Sequence, residues 1–350
     1  MKVLYFGIYD SSYSRNWVLI NGLKKNGVEV IELNRKPGKL NLIKLFFDYF
    51  KLKKDFDVMI VGFPGQEVMF LARAITEKPI IFDAFTSHYG GYILDRKKYT
   101  RNSFWAKYYR FLDNWSCRMA DLVLLDTQSH INFFVREYGL SSSKFKRLWV
   151  GVAEEDKIKN IVLRPSDNFK VTFFGTYIPL QGAEFIIRAA KLLEVHKNIK
   201  FNLIGRGQQR KDIEDLSNKL GLKNVEFRGM MSLEKLREEL VNSDVCLGIF
   251  GNSPKTPLVI PNKVYEGVAL ERPVITADTE AVRELFDEED MILIPPADEK
   301  ALADAILRLR NDLTLQDKFA VNGHRKFIEK ASYEIIGREL KDIITQLLHV

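Results

Sequence analysis

Short apolar runs bounded by glycine, proline or polar turns alternate along this chain with segments of helical period. Residues 2–8 (K-V-L-Y-F-G-I) read as a buried strand, 17–27 as a helix closed by Gly27, and 28–33 (V-E-V-I-E-L) as a second strand. The pattern continues through D-V-M-I-V-G-F (57–63), a helix ending near Ala74, P-I-I-F-D-A-F (79–85), a helix from Trp105 to Met119, D-L-V-L-L-D-T (121–127) and F-K-R-L-W-V-G-V (145–152). Strands alternating with helices predict a mostly parallel sheet with right-handed crossovers.

A charged stretch without period, 150–168, interrupts the alternation, which then restarts. Strands are expected at 169–175, 199–205, 224–229 and 244–250, and helices at 183–193, 212–221 and 232–243, the last with Ser232 as N-cap. The prediction is an α/β protein of two Rossmann-like, doubly wound domains, 1–165 and 166–330, facing each other across a cleft.

The stretch around which the second domain is organised is Pro254 to Thr276, P-K-T-P-L-V-I-P-N-K-V-Y-E-G-V-A-L-E-R-P-V-I-T. Pro261 suits the first turn of a helix, Val264, Val268 and Ala269 recur at helical spacing, and Arg272-Pro273 ends it before the strand Val274-Ile275-Thr276. Asn262, next to Pro261, is a candidate for binding the donor. Lys263 and Glu266, three apart, share one face near its positive end. Free N–H groups and an ammonium there suit a diphosphate, and a carboxylate suits two ribose hydroxyls. The same spacing also fits an i,i+3 surface ion pair worth about 0.2–0.5 kcal/mol.

Charge divides the chain further. Residues 1–150 hold 24 Lys and Arg against 14 Asp and Glu, whereas 151–350 hold 29 against 32, so the net +7 belongs to the first half. Much of the excess lies in two basic, aromatic-rich segments, 35–54 and 95–112. In the first, Leu42, Leu45, Phe46, Tyr49 and Phe50 fall on one helical face flanked by lysines, which suits either an anionic membrane surface or packing on its own domain. No nucleic-acid-binding module is recognisable. No run approaches the roughly eighteen apolar residues of a membrane span, and the N-terminus has no apolar signal core. The expectation is a cytoplasmic protein able to sit on the inner face of the membrane. Cys117 and Cys246 lie far apart in apolar segments, which predicts buried free thiols and no metal site.

Several strand ends carry candidate chemistry. F-F-G-T-Y-I-P-L-Q-G puts Gly175 and Gly182 around a loop before a helix, and L-I-G-R-G-Q puts Gly205 and Gly207 after a strand; both bring backbone N–H groups near phosphate. In the first domain, Y-D-S-S-Y-S-R-N places Arg15 in a loop after the first strand. P-I-I-F-D-A-F-T-S-H-Y-G-G places Asp83, Ser87 and His88 after another. His130, His196 and His324 lie in contexts that suit capping or packing.

The order F-F-G-x(6)-G-x-E-x-x-I-x-A-A, L-I-G-R-G, V-E-F-R-G, P-N-K-V-Y-E-G-V-A-L-x-R-P-V-I-T and A-V-R-E-L, over about residues 169–325, resembles the donor domain of family-4-type retaining glycosyltransferases of the GT-B fold, glycosyl transferases group 1. The resemblance implies a nucleoside diphosphate sugar held by the C-terminal domain and an acceptor side on the N-terminal one. It also implies no metal or other cofactor, and a last helix, around Tyr333 to Leu348, that crosses back onto the first domain. By position, Glu266 matches the glutamate that holds the ribose diol, and Gly205, Arg206 and Gly207 the loop near the nucleotide. Thr279, Glu280 and Ala281 match a loop after the next strand, followed by Glu284. The family's sugar-side histidine points to His88, with Asp83 as second choice.

The chain departs from the family at Leu258, where a glutamate usually meets the donor sugar, and at Thr176 and Gln181, where Arg and Lys usually meet the diphosphate. A charged hydrogen bond contributes about 1.5–3 kcal/mol, so replacements are needed; Lys263, Arg206, Lys255 and Arg15 are the candidates. The reading is a retaining transferase moving a sugar to a hydroxyl of a lipid-linked or polysaccharide acceptor. With no base and nucleophile paired, Lys263 and the helix N-terminus would stabilise the leaving diphosphate. The alternatives are a GT-B nucleotide-binding protein that has lost activity and serves a partner enzyme, and a nucleotide-sugar epimerase or phosphorylase.

Overall fold

The computed structural model describes residues 1–36, 38, 40–52, 55–153 and 167–349. The chain divides into two compact units, residues 1–153 with 331–350, and residues 154–330. The expected domain boundary at 165 and most of the charged stretch before it lie outside the described residues.

Unit 1 contains β1 (Lys2–Gly7), α1 (Ser14–Lys25), β2 (Glu29–Asn34), α2 (Asn41–Lys51), β3 (Val58–Val61), α3 (Val68–Ile75), β4 (Ile80–Asp83), α4 (Phe104–Met119), β5 (Leu122–Leu125), α5 (Gln128–Tyr138) and β6 (Phe145–Arg147). Its six strands are parallel, in the order β2-β1-β3-β4-β5-β6. Strands β3, β4 and β5 are buried along their whole length, which is why their sequences are unbroken apolar runs. The strand expected over 145–152 stops at Arg147, because the Leu148 and Trp149 carbonyls turn to the Arg15 guanidinium, each 2.7 Å from Nη1. Helix α13 (Tyr333–Leu348) belongs to this unit and packs along α1. The two helices touch backbone to backbone: a Cβ added at Gly337 would lie 2.1 Å from the Gly22 carbonyl carbon.

Unit 2 runs β7 (Phe169–Thr176), α6 (Ala183–Leu192), β8 (Ile199–Arg206), α7 (Arg210–Lys219), β9 (Val225–Arg228), α8 (Leu233–Val241), β10 (Val245–Leu247), α9 (Asn262–Ala269), β11 (Val274–Ala277), α10 (Glu280–Arg283), β12 (Ile292–Ile294), α11 (Glu299–Asn311) and α12 (Leu313–Lys330). The sheet is again parallel, in the order β12-β11-β10-β7-β8-β9. Its core joins Phe173, Phe201 and Leu203 of the sheet to Ile186, Ile187 and Ala190 of α6 and Leu302, Ile306 and Leu309 of α11. The chain builds outward from β7 to β9, then returns to place β10 on the other side of β7. That reversal opens a crevice above the carboxyl ends of β7 and β10, where doubly wound sheets hold ligands.

Pro261 caps α9 from outside its first turn, with extended ψ of 148°. Ser232 caps α8 as expected, its side chain accepting from the Lys235 N–H. Both cysteines are buried and free, Cys117 in unit 1 and Cys246 in unit 2. Among the described residues no helix is long and apolar enough to cross a membrane, and no group of His, Cys, Asp and Glu could hold a metal ion.

Candidate functional site

The crevice of unit 2 is lined by the turn after β7 and by the first turn of α9. Lys263 enters it from α9, buried to 4% exposure, and its ammonium donates to Gln181 Oε1. The nitrogen lies 3.7 Å from the Phe173 ring centroid. Gly175 lets it come this close: a Cβ there would stand 3.1 Å from Nζ, on a backbone with φ of +143°. Burial pushes the Lys263 pKa well below the usual lysine value, and no carboxylate among the described residues offsets that desolvation. An enclosed ammonium at a helix N-terminus, satisfied by an amide and a ring face, is an arrangement with the chemistry to receive an anion.

Glu266, one turn further along α9, is equally enclosed and does not pair with Lys263. Its carboxylate takes Arg237 of α8 on both oxygens, Nε to Oε2 at 3.1 Å and Nη2 to Oε1 at 3.3 Å. Burial raises the Glu266 pKa, and Arg237 pulls against it. The surface ion pair that the spacing allows is therefore absent; each member is buried with a partner of its own. Arg237 is a residue the motifs do not mark, although its sequence position on the apolar stripe of α8, with Leu233, Leu240 and Val241, signals a buried charge that needs an acceptor.

The remaining residues picked out in this unit lie on the ends of β7 and β8 and on the segments around α9 and α10. Thr176 and Arg206, both exposed, are partners in the β7–β8 register, one residue beyond the pair Gly175 and Gly205. Gly205 is held at φ of +138°, and a Cβ there would sit 1.9 Å from the Gly175 carbonyl oxygen. Gly207 follows with the β8–α7 turn drawn against Tyr177. Asn262 is half-buried at the start of α9, and Leu258 is buried in the loop before it. Thr279 caps α10 by accepting from Val282 N–H at 3.2 Å.

In unit 1, Arg15 and Asp83 find each other. The guanidinium reaches Asp83 through Nη2 at 2.8 Å and Nε at 3.1 Å, and both side chains are fully enclosed. With Nη1 on the two carbonyls after β6, Arg15 ties α1 to β4 and to the end of the sheet; its donors are committed inside unit 1. Burial raises the Asp83 pKa despite this partner. His88 is half-buried beyond β4, its Nε2 3.7 Å from Glu67 Oε1 and its ring beside Tyr92 and Tyr109. The loop carrying it is pinned by Asp113 of α4, which accepts from Ser87 Oγ at 2.7 Å, Tyr89 N–H at 2.9 Å, His88 N–H at 3.0 Å and Tyr138 Oη at 3.0 Å. Asp113 also escapes the motifs, and its signal is of the same kind: an acid buried on α4 with Ala106, Ser116 and Cys117. His130 is buried against Asp126, Nδ1 to Oδ1 at 2.7 Å, while Thr127 caps the helix start. His196 approaches Arg310 and His324 the Val268 carbonyl, at 3.4 and 3.0 Å.

Two doubly wound parallel sheets with their helices define the GT-B fold, and solved structures share it along nearly the whole chain. Alr3699/HepE of Anabaena, solved with UDP, superposes with a TM-score of 0.75 at 15% identity, covering 99% of this chain and 100% of that one. Sucrose-phosphate synthase of Thermosynechococcus elongatus gives 0.74 at 17% identity, with 99% and 98% covered. Residues 168–312 match the model of the family described as glycosyl transferases group 1, which bears out the likeness carried by the motifs. Curated relatives include the lipopolysaccharide core biosynthesis glycosyltransferase LpsD of Rhizobium meliloti, 31% identical over 48% of this chain and 48% of that protein. The alpha-D-kanosaminyltransferase of Streptomyces kanamyceticus is 27% identical over 51% and 45%. The O-antigen chain mannosyltransferase C of Escherichia coli is 23% identical over 52% and 47%. The chain spans about half the length of the curated relatives it matches.

Proposed function

We propose that the protein is a retaining glycosyltransferase that takes a sugar from a nucleoside diphosphate sugar and passes it to a hydroxyl of a glycan or lipid-linked acceptor. The observation that carries this reading is the buried, uncompensated ammonium of Lys263 at the N-terminus of α9, one turn from the buried carboxylate of Glu266. Lys263 and the free N–H groups of α9 would receive the diphosphate, and Glu266 two ribose hydroxyls. As the bond from the sugar to the diphosphate breaks, negative charge gathers on the leaving oxygens, where the ammonium is already placed without reorganisation. Retention is proposed from the likeness of the 169–325 motifs to family-4-type retaining glycosyltransferases. The names of the relatives, in lipopolysaccharide core and O-antigen assembly, support a glycan product.

Calorimetric titration with UDP, GDP, ADP and dTDP tests the reading. One nucleotide should bind, and Glu266→Ala should weaken it about tenfold to a hundredfold, since a bond to a charged acceptor contributes about 1.5–3 kcal/mol. Wild type that binds none of the four would refute it. Binding without turnover on any sugar of that nucleotide would favour the non-catalytic alternative, which Leu258 and Gln181 motivate.

The acceptor side is read from α2. Leu45 and Tyr49 dock on unit 1, while Ile43, Phe47 and Phe50 stand 50–58% exposed beside Lys44 and Lys51. This face would lie on an anionic bilayer, bringing the enzyme to lipid-linked acceptors. Sedimentation with phosphatidylglycerol vesicles at low salt should carry the wild type down and leave Phe47→Glu in the supernatant; indifference of the wild type would sink the idea.

A further inference from the structure

Unit 1 carries a second aromatic surface of a different chemistry, which starts at His88 and which nothing above employs. The π-helical turn Gly90–Asp95 brings Tyr92 over Tyr109 of α4, ring centroids 5.0 Å apart and planes within 29°. Trp105 continues the series, 6.1 Å from Tyr109 at 30°, and Tyr99 lies 5.7 Å from Trp105 at 25°. The rings thus share a common tilt. They pass from half-buried tyrosines to Trp105, which is 43% exposed.

Four features say what this surface is made to touch. The hydroxyls of Tyr92, Tyr99, Tyr108 and Tyr109 form no hydrogen bond among the described residues, whereas the deeper hydroxyls of Tyr5 and Tyr138 are bonded, at 3.0 Å to Asn16 and 3.0 Å to Asp113. Lys98 holds its ammonium 5.6 Å from both the Tyr92 and Tyr99 rings. The Glu67 carboxylate stands at the His88 end, its pKa lowered by the hydrogen bond with that histidine. On α2, by contrast, the exposed apolar side chains Ile43, Phe46, Phe47 and Phe50 carry no hydroxyl and stand beside Lys44 and Lys51, and Phe46 meets Phe47 and Phe50 edge to face at 84° and 62°. A hydrocarbon face suits acyl chains. Near-parallel rings fringed with hydroxyls, an ammonium and a carboxylate suit a molecule with weakly positive C–H faces and many hydroxyls, because the negative π-face attracts the former and the fringe bonds the latter.

We infer that Tyr92, Tyr99, Trp105 and Tyr109 form a platform for the pyranose rings of an oligosaccharide acceptor. The inference rests on the glycosyltransferase reading only for calling that saccharide the acceptor, and it names the acceptor's recognised part as sugar rather than lipid.

The test uses the full chain and maltohexaose, cellohexaose, chitohexaose and mannohexaose, followed by calorimetry and by tryptophan emission against a Trp105→Phe reference. At least one oligosaccharide should bind, insensitive to added salt, and Trp105→Ala and Tyr99→Ala should each weaken it about tenfold while leaving UDP affinity unchanged. Three results would overturn the platform: no oligosaccharide bound, binding that survives both substitutions, or Trp105 emission that responds to phosphatidylglycerol vesicles and not to sugars. Binding of one of the four nucleoside diphosphates without oligosaccharide binding sinks the platform and spares the transferase reading; oligosaccharide binding with none of the four does the reverse.

Discussion

Replacing Arg237 with methionine keeps most of the buried volume on α8 and removes the only counter-charge that Glu266 has among the described residues. The carboxylate stays enclosed at 6% exposure, and breaking a buried pair from one side costs about 3–5 kcal/mol. Burial already holds the Glu266 pKa above its usual value, with Arg237 opposing, so the substitution moves it higher still. A carboxyl whose folded pKa exceeds its unfolded one gains a proton on folding. The cost of Arg237→Met is therefore smallest below the wild type's folded pKa, grows as pH rises, and is complete above the variant's still higher folded pKa. The two cysteines report each unit separately, since Cys117 is buried in unit 1 and Cys246 in unit 2. Pulsed alkylation along a urea series should show the Cys246 midpoint falling by about 1.5–2.5 M at pH 8, taking m near 2 kcal/mol/M, and by clearly less at pH 5. Cys117 should not move, and Glu266→Gln should rescue the variant. A Cys246 shift under about 0.5 M at pH 8, or the same shift at both pH values, would refute the reasoning.

Three further outcomes are expected. Because burial depresses the Lys263 pKa and a bound diphosphate would restore it, binding of the nucleoside diphosphate should take up protons and weaken as pH rises through the lowered Lys263 pKa; calorimetry in buffers of different ionisation enthalpy measures the uptake, which Lys263→Met should abolish. Gly205→Ala forces a Cβ onto the Gly175 carbonyl at a left-handed φ and should cost about 3 kcal/mol or more, read on Cys246; a loss under about 1 kcal/mol would contradict the close approach. Gly337→Ala should lower the urea midpoint seen by tryptophan fluorescence, all four tryptophans (17, 105, 115 and 149) being in unit 1, and leave the Cys246 midpoint unchanged.

Every strand but β12 was legible because parallel strands buried on two faces are plain apolar runs, as at Val58–Val61 and Ile80–Asp83. The α9 helix and its pair of polar residues were legible too, since spacing along one helix is local information. What the pair touches was not: Gln181 lies 82 residues from Lys263 and Arg237 lies 29 from Glu266, separations that only the order of strands brings together. Strand β12 and helices α11 and α12 went unread although α11 announces itself, with Asp298 capping the Lys300 and Ala301 N–H groups ahead of an apolar stripe. Arg15 looked like a free loop cation because sequence shows a charge and not its enclosure.

The packing of α13 on α1 has a consequence for how the protein is made. Unit 1 is discontinuous: its last helix leaves the ribosome after all of unit 2, and until then the Gly22 surface of α1 has no partner. A nascent chain of about 330 residues holds every strand of both sheets and yet only one finished unit. Vectorial synthesis thus reverses the expected order, with unit 2 able to settle while unit 1 waits for α13. A stop codon directly after Lys330 would for the same reason harm the part of the protein translated first.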